Sequence, residues 1–332
     1  MRNLTRVARL GFNEFLIASK PIGSFQRKQL FLLKTEQDDM KHLLLLLIVL
    51  LSLCSCRSAN LVDGQWKSGT YTHKTNIKFK GLKRTYNFHI PQNPPEDHWK
   101  LVVVLHGAFN TAKGIEEQSG FSELSDEKGF CVAYPNGIGL FGLLQHWNAG
   151  HCCGKAVKDG IDDVAFLNTV IDDLLERYPV DPEHLYFVGH SNGGMMVHRY
   201  AAESSERVAA AAVVAGAINS TSAKAKEEWC IPEPSNAVPF LLIHGTADPA
   251  VPHKGGNSPD KPEGPKYASV FEAAEFWRGH NKDEAVVEVE LLEGWGHDWP
   301  GRYFMSKEGV PKGLENYHAA DVIWSFFKTT ME

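Results

Sequence analysis

With 332 residues, 43% of them hydrophobic and 22% charged, the chain has apolar material for one large or two small well-cored domains and lacks the composition of a disordered protein. A formal net charge of -6, with no Lys/Arg-rich patch in the body of the chain, provides no positive field for a polyphosphate. Nucleic acid is excluded as a partner.

Residues 1–39 show no sustained periodicity and end in Asp38 and Asp39 before an initiator-like Met40. They are expected to be an upstream extension from a wrong start. The rival, an organellar presequence, leaves the leucine run that follows unexplained. That run, Leu43 to Leu53, follows Met40-Lys41-His42, is too short to span a bilayer and has the length of the apolar core of an export signal. Leu53-Cys54-Ser55-Cys56 resembles a bacterial lipobox, in which a small residue precedes the cysteine that is acylated and becomes the new N-terminus. Ser55 favours Cys56 over Cys54, which follows the bulky Leu53. The expected organisation is a lipoprotein signal over 40–56, a short tether over 57–68 and one catalytic domain over 69–332. The domain would be exported and held to the membrane of the bacterial cell envelope by the lipid on Cys56.

Past the signal lie Cys131, Cys152, Cys153 and Cys230, in a compartment where disulfides persist. Cys131, in "GFCVAYP", belongs to a core strand. A bridge between Cys230 and either Cys152 or Cys153 fits, since joining the two neighbours is strained, but the sequence leaves the pairing open. No second spaced pair completes a zinc site, and no metal is expected.

From about Asn60 the elements alternate. "TYTHKTNIKF" and "LKRTYNFHIP" read as two opening strands joined around Lys80-Gly81. "KLVVVLHG" and "GFCVAYPNG" are continuous apolar runs of the kind buried on both faces in a parallel sheet. "IDDVAFLNTVIDDLLERY" puts Val164, Leu167, Ile171 and Leu174 at helical spacing, with Asp162 and Asp163 at its start as helix-capping residues. The strands "LYFVGHS", "VAAAAVVAGA", "PFLLIHGTADP" and "AVVEVELLEG" follow, with helices over "GMMVHRYAAES", "YASVFEAAEFWRGH" and "AADVIWSFFKTT". This alternation predicts one α/β domain with a doubly wound, mostly parallel sheet and an N-terminal antiparallel strand pair. In such a sheet the chemistry gathers on loops at the carboxyl ends of the strands.

Gly189-His190-Ser191-Asn192-Gly193 fits G-x-S-x-G, in which small flanking residues let a serine occupy a sharp strand-to-helix turn with its hydroxyl exposed. A serine hydroxyl needs a base, and the base needs a carboxylate to fix its tautomer. Asp248 in "HGTADPAVP" and His297 in "GWGHDWPG" follow in the order Ser, acid, His, each just after a strand. Asp298 is a rival acid, set back by its adjacency to His297. His190 is a rival base, but its position in the elbow turns its ring away from the hydroxyl and toward bound substrate. His244 is expected to pack structurally. The oxyanion of a tetrahedral intermediate needs backbone donors. Asn192 supplies one and the loop after "LVVVLHG" the other, from Ala108 or, as the alternative, Phe109.

The segments "LVVVLHGAFNTA", "WNAGHCCGKA", "IDDVAFL", "VGHSNGGMM", "HGTADPAVP" and "GHDWPG", taken in order from about Phe79 to the last helix, resemble the polyhydroxybutyrate depolymerase and feruloyl esterase group of α/β-hydrolases, which includes lipoprotein members. The resemblance implies the α/β-hydrolase fold, a serine esterase without cofactor, and the roles already read for Ser191, Asp248 and His297. It places Trp147, Asn148, Cys152 and Cys153 in a loop near the site and Trp299 just after the base. Phe109, Trp147, His190 and Trp299 are the expected substrate contacts, with core packing an equal alternative for the two tryptophans. With no Ser/Thr-rich linker or polymer-adhering domain, a soluble ester or an oligomer is the expected substrate. Two rivals are a peptidase of the prolyl oligopeptidase type, which "HGTADPAVP" also suits, and a glycan-binding lipoprotein on an inactive hydrolase scaffold.

Overall fold

A run such as Leu101-Val102-Val103-Val104-Leu105 has no polar face to present to water, so it is stable as a strand only where both faces of the sheet are covered. The computed structural model describes residues 61–331 apart from 63–64, 80–81, 141, 151, 222–227, 283 and 302–308, within one unit, Ser58–Glu332. The expected signal, its Cys56 and the turn at Lys80-Gly81 lie outside the described residues. Among those described, no helix is long and apolar enough to cross a membrane.

The main sheet has eight strands: β1 (Gly69–Phe79), β2 (Leu82–Ile90), β3 (Trp99–Leu105), β4 (Cys131–Pro135), β5 (Val180–His190), β6 (Ala210–Val214), β7 (Phe240–Gly245) and β8 (Val287–Leu292), in the spatial order β8-β7-β6-β5-β3-β4-β2-β1. From β3 to β8 every pairing is parallel. β2 lies antiparallel to β4 and to β1, which is the antiparallel opening pair the alternation predicts. The register sorts side chains by face. Val132, Val102, Tyr186 and Ala210 stand in one row, beneath the helices α1 (Ala112–Ser119), α2 (Phe121–Lys128) and α7 (Ala319–Thr329). Ala133, Val103, Phe187, Ala211 and Phe240 stand in the opposite row. That face is covered by α4 (Asp163–Arg177), α5 (Asn192–Glu203) and α6 (Val270–Asn281). A short helix, α3 (Gly154–Lys158), precedes α4.

Helices α1 and α2 depart from the sequence reading, which left 112–128 without an element. Each has eight residues and Gly120 divides them with φ 72, too little length for a 3.6-residue period to show. Among the structures without a sequence counterpart are a hairpin of Ile138–Leu140 with Leu143–His146, and a four-stranded sheet of Ser220–Thr221, Glu228–Trp229, Gly256–Ser258 and Lys261–Tyr267. Both rise over the carboxyl ends of the parallel strands and build the walls of the site described below.

The cysteines meet one expectation and answer the pairing that the sequence leaves open. Cys131 is buried and free, as a core residue, whereas Cys152 is bonded to Cys153 and Cys230 is exposed and unbridged. The bridge to Cys230 is not formed.

Candidate active site

The chain reverses its winding direction between β3 and β5, which are neighbours in the sheet although β4 lies between them in sequence. Such a crevice at the carboxyl ends is where an open α/β sheet binds ligands. Ser191 stands there, between the end of β5 and the start of α5, with φ 52 and ψ -121. That conformation is rare for a residue with a side chain, and the turn tolerates it because Gly189 and Gly193, two residues away on either side, lack one. A Cβ on Gly189 would come within 2.3 Å of the Gly193 carbonyl oxygen, and one on Gly193 would come within 2.3 Å of the Leu105 carbonyl oxygen. The two glycines thus let the strand, the turn and β3 approach at backbone distance, which is what exposes the serine.

Three side chains from three strand ends meet. The Ser191 hydroxyl donates to Nε2 of His297 across 2.8 Å, and Nδ1 of His297 donates to Oδ2 of Asp248 across 2.7 Å. Asp248 is fully buried in its side chain. Its Oδ1 accepts from the amides of Ala250 and Val251, both at 2.8 Å. His244 Nε2 lies 3.3 Å from Oδ2 and 2.8 Å from the Val251 carbonyl. Burial opposes the charge on Asp248, but hydrogen bonds from His244, His297 and the Val251 amide outweigh it and hold the carboxyl well below the ordinary carboxylate range. The group beside the base is therefore a carboxylate at any pH near neutrality. Asp298, the rival acid, contributes its carbonyl to the Trp295 indole, at 2.8 Å.

His190 departs from expectation. Its ring turns away from the hydroxyl as the elbow predicts, but Nε2 donates to the His297 carbonyl at 2.7 Å and no atom lines the pocket. Burial first, and then the neighbouring His297, push its pKa down to about 4. It braces the loop that carries the base. Trp147 and Trp299 are likewise buried, at 0% and 1% exposure, and absent from the pocket wall. Of the four expected substrate contacts only Phe109 lines the pocket. The two tryptophans are drawn into the core by their apolar bulk, and His190 is held behind the base by its bond to the His297 carbonyl.

The candidate oxyanion donors separate cleanly. The Phe109 amide already donates to the Gln145 carbonyl at 2.8 Å, while the amides of Ala108 and Asn192 take no partner among the described residues. Ala108 and Asn192 both line the pocket with Ser191 and His297. Asn192 is the first residue of α5, so its N–H is one of the helix's unpaired donors and the helix field favours negative charge in front of it.

The cavity is about 440 Å³. Phe109, at φ 65 and 65% exposed, stands at its mouth with its ring 4.6 Å from that of His146, edge to face. The remaining wall combines Met195, the Cys152–Cys153 pair, Val251 and Pro265 with Tyr267 and the exposed Asp260 and Lys261. His146 and residues 258–267 come from the hairpin and the small sheet; chain position puts the loops over 137–160 and 252–266 at the pocket, as the structure has them, but no spacing or motif in the sequence gives their shape. Among the described residues no three His, Cys, Asp or Glu side chains converge as metal ligands.

Residues 100–230 match the family of proteins with the alpha/beta hydrolase fold. NocK of Nocardia uniformis subsp. tsuyamanensis, assigned as an esterase, is 30% identical over 282 residues, which cover 72% of this chain and 77% of that one. The chain belongs to the α/β-hydrolase family, among its carboxylic ester hydrolases. Feruloyl esterase B of Piromyces equi is 31% identical over 159 residues, 48% of this chain and 28% of the relative, so the chain spans little more than a quarter of that protein. Among solved structures, the acetyl xylan esterase from Aspergillus awamori shares the fold with a TM-score of 0.54 at 16% identity, over 78% of this chain and 99% of the other.

Proposed function

We propose that this hydrolase is an exported serine esterase that works through an acyl-enzyme. The observation that carries the reading is the unbroken hydrogen-bonded path from Ser191 to His297 to Asp248 at 2.8 and 2.7 Å, opening on a cavity also lined by Ala108 and Asn192, whose amides take no partner among the described residues. Ser191 Oγ attacks the ester carbonyl as its proton passes to Nε2 of His297, and the carbonyl oxygen becomes an oxyanion in front of the Asn192 and Ala108 amides. Collapse of the intermediate breaks the bond to the alcohol, which leaves with the proton from His297. Water then attacks the acyl-Ser191 ester, gives a proton to His297, and releases the carboxylic acid as Ser191 regains its hydrogen. Asp248 holds His297 with Nε2 toward the serine and stabilises the imidazolium formed in each half.

The substrates proposed are feruloyl or acetyl esters of a polysaccharide, or short hydroxyalkanoate oligomers. Phe109 and the His146 edge offer an aromatic or sugar face a flat, half-open surface at the mouth, and Met195, Val251 and Tyr267 give the interior an apolar character suited to an acyl group. The names of the Piromyces and Aspergillus relatives support the same ester classes. Attachment to the envelope through Cys56 is part of the proposal and rests on the sequence of 40–56 alone.

The test is hydrolysis at neutral pH of p-nitrophenyl acetate and butyrate, methyl ferulate, acetylated xylan and soluble hydroxybutyrate oligomers, with Ser191→Ala beside the wild type. Activity abolished by the substitution is the expected result, and the ranking of substrates selects the acyl class. Equal rates in both folded proteins would remove Ser191 from the mechanism.

A further inference from the structure

A buried ion pair between Arg84 and Asp163 has no part in the chemistry above. Arg84, on β2, and Asp163, the first residue of α4, are 1% and 0% exposed and meet at 2.7 Å between Nη1 and Oδ1. Helix capping accounts for Asp162, whose side chain accepts from the Ala165 amide at 2.9 Å, but not for Asp163. Taking two charges out of water is costly, and such pairs are often replaced by apolar residues without loss of stability. Stability alone is thus a poor reason for this pair.

Its other bonds supply a better one. Arg84 Nε and Nη2 donate to the Asn136 carbonyl at 3.2 and 2.8 Å, and its guanidinium carbon lies 3.6 Å from the centroid of the Phe166 ring. The second Asp163 oxygen, Oδ2, accepts from the Asn148 amide at 2.7 Å. Trp147, next to Asn148, touches both sides of the oxyanion site. Its amide donates to Oδ1 of Asn192 at 2.7 Å, and its carbonyl accepts from Nδ2 of Asn192 at 3.1 Å. Its indole N–H donates at 2.9 Å to the carbonyl of His106, two residues before Ala108.

We propose that Arg84 and Asp163 are positioning residues for the oxyanion site: the pair fixes Trp147–Asn148, and Trp147 sets the spacing between the Asn192 and Ala108 amides. The inference rests on the serine-esterase reading. The two amides sit beyond the ends of different strands, β5 and β3, whose own pairing ends at Leu105 with Gly189, and Trp147 bridges the segments past that point. A displacement of about 1 Å at such a site costs on the order of 100-fold in rate.

The test compares wild type with Asp163→Asn and with the paired replacement Arg84→Met, Asp163→Leu, which strands no buried charge. Rates are expressed per active site titrated with an aryl phosphonate, so that misfolded molecules are not counted. The expected result is a kcat lowered roughly 10- to 100-fold with KM within about 3-fold. Affinity for a boronic acid that mimics the tetrahedral intermediate should fall by the same factor as kcat, which a merely structural role would not produce. Adding Asn192→Ala, which removes the side chain that Trp147 holds and keeps the amide, should bring little further loss. A wild-type kcat per titrated site in the paired replacement, or losses that add in full with Asn192→Ala, overturns the proposal. Absence of any titratable site in the wild type is a separate failure: it overturns the reading of Ser191, and the positioning role with it.

Discussion

Asp248 accepts two backbone amides on Oδ1 and His297 on Oδ2, with His244 Nε2 3.3 Å from Oδ2. Its geometry is therefore held by its own turn as much as by the base. Asp248→Asn should keep the turn, since an amide oxygen still accepts from Ala250 and Val251, yet lose the charge that stabilises an imidazolium. The expected outcome is a kcat roughly 1,000- to 10,000-fold lower with KM little changed and the melting temperature close to wild type. Steady-state kinetics on p-nitrophenyl acetate with a thermal melt checks both parts; a loss of less than 10-fold would show that the carboxylate does not serve His297. At this scale the sequence was informative for a definite reason. Ser191, Asp248 and His297 each follow a strand closely, so chain order and strand ends place them in one crevice. His146 lies in a loop, 137–160, whose place at the pocket follows from chain order, and Tyr267 just past another, 252–266; the hairpin and small sheet that aim them depend on long-range packing, and no local signal gives that shape.

Among elements, α6 shows how a boundary is set by one polar exchange. The sequence reading started this helix at Tyr267, but Tyr267 pairs with Gly256 and Ser220 in the small sheet. The helix starts at Val270 because Ser269 caps it: its hydroxyl accepts from the Glu272 amide at 3.1 Å, while Oε2 of Glu272 accepts from the Ser269 amide and hydroxyl, both at 2.7 Å. The same bonds hold the Glu272 carboxyl below its ordinary range. Ser269→Ala should cost about 1 kcal/mol, read as a lower urea midpoint at unchanged slope, with kcat little affected because no residue of α6 lines the pocket. A stability equal to wild type would mean that packing of Val270, Ala273 and Trp277 holds the end of the helix without its cap. The strands were legible where α1 and α2 were not, since a run of five apolar residues is visible by itself, whereas α1 buries only Ala112, Ile115 and Ser119 and carries Gly114 in its first turn.

The folded molecule holds two of its interior histidines, His106 and His190, in the neutral form near neutral pH. His106 is buried between β3 and the Gly137 amide, which donates to its Nε2 at 3.0 Å, and His190 is buried behind the base. Burial is the leading cause in both, and each pKa is pushed down to about 4. An unfolded chain has no such burial, and its histidines titrate near 6.5. Between these values the unfolded state binds more protons than the folded one, by up to two for this pair, so stability rises with pH across the window and is lost as pH falls from about 6.5 to about 4. The slope contributed is at most about 2.7 kcal/mol per pH unit. Asp248 does not oppose this: its lowered carboxyl pKa gives stability that begins to fade only below the unfolded carboxylate range. Urea midpoints measured from pH 7.5 to pH 4.5 should therefore fall steeply below pH 6.5. His106→Gln, which preserves a hydrogen-bonding side chain without a proton to take up, should flatten that fall even if it lowers the plateau near pH 7.5. A midpoint constant between pH 6.5 and pH 4.5 would mean that the two rings reach water, or a compensating carboxylate, when they protonate in the folded protein.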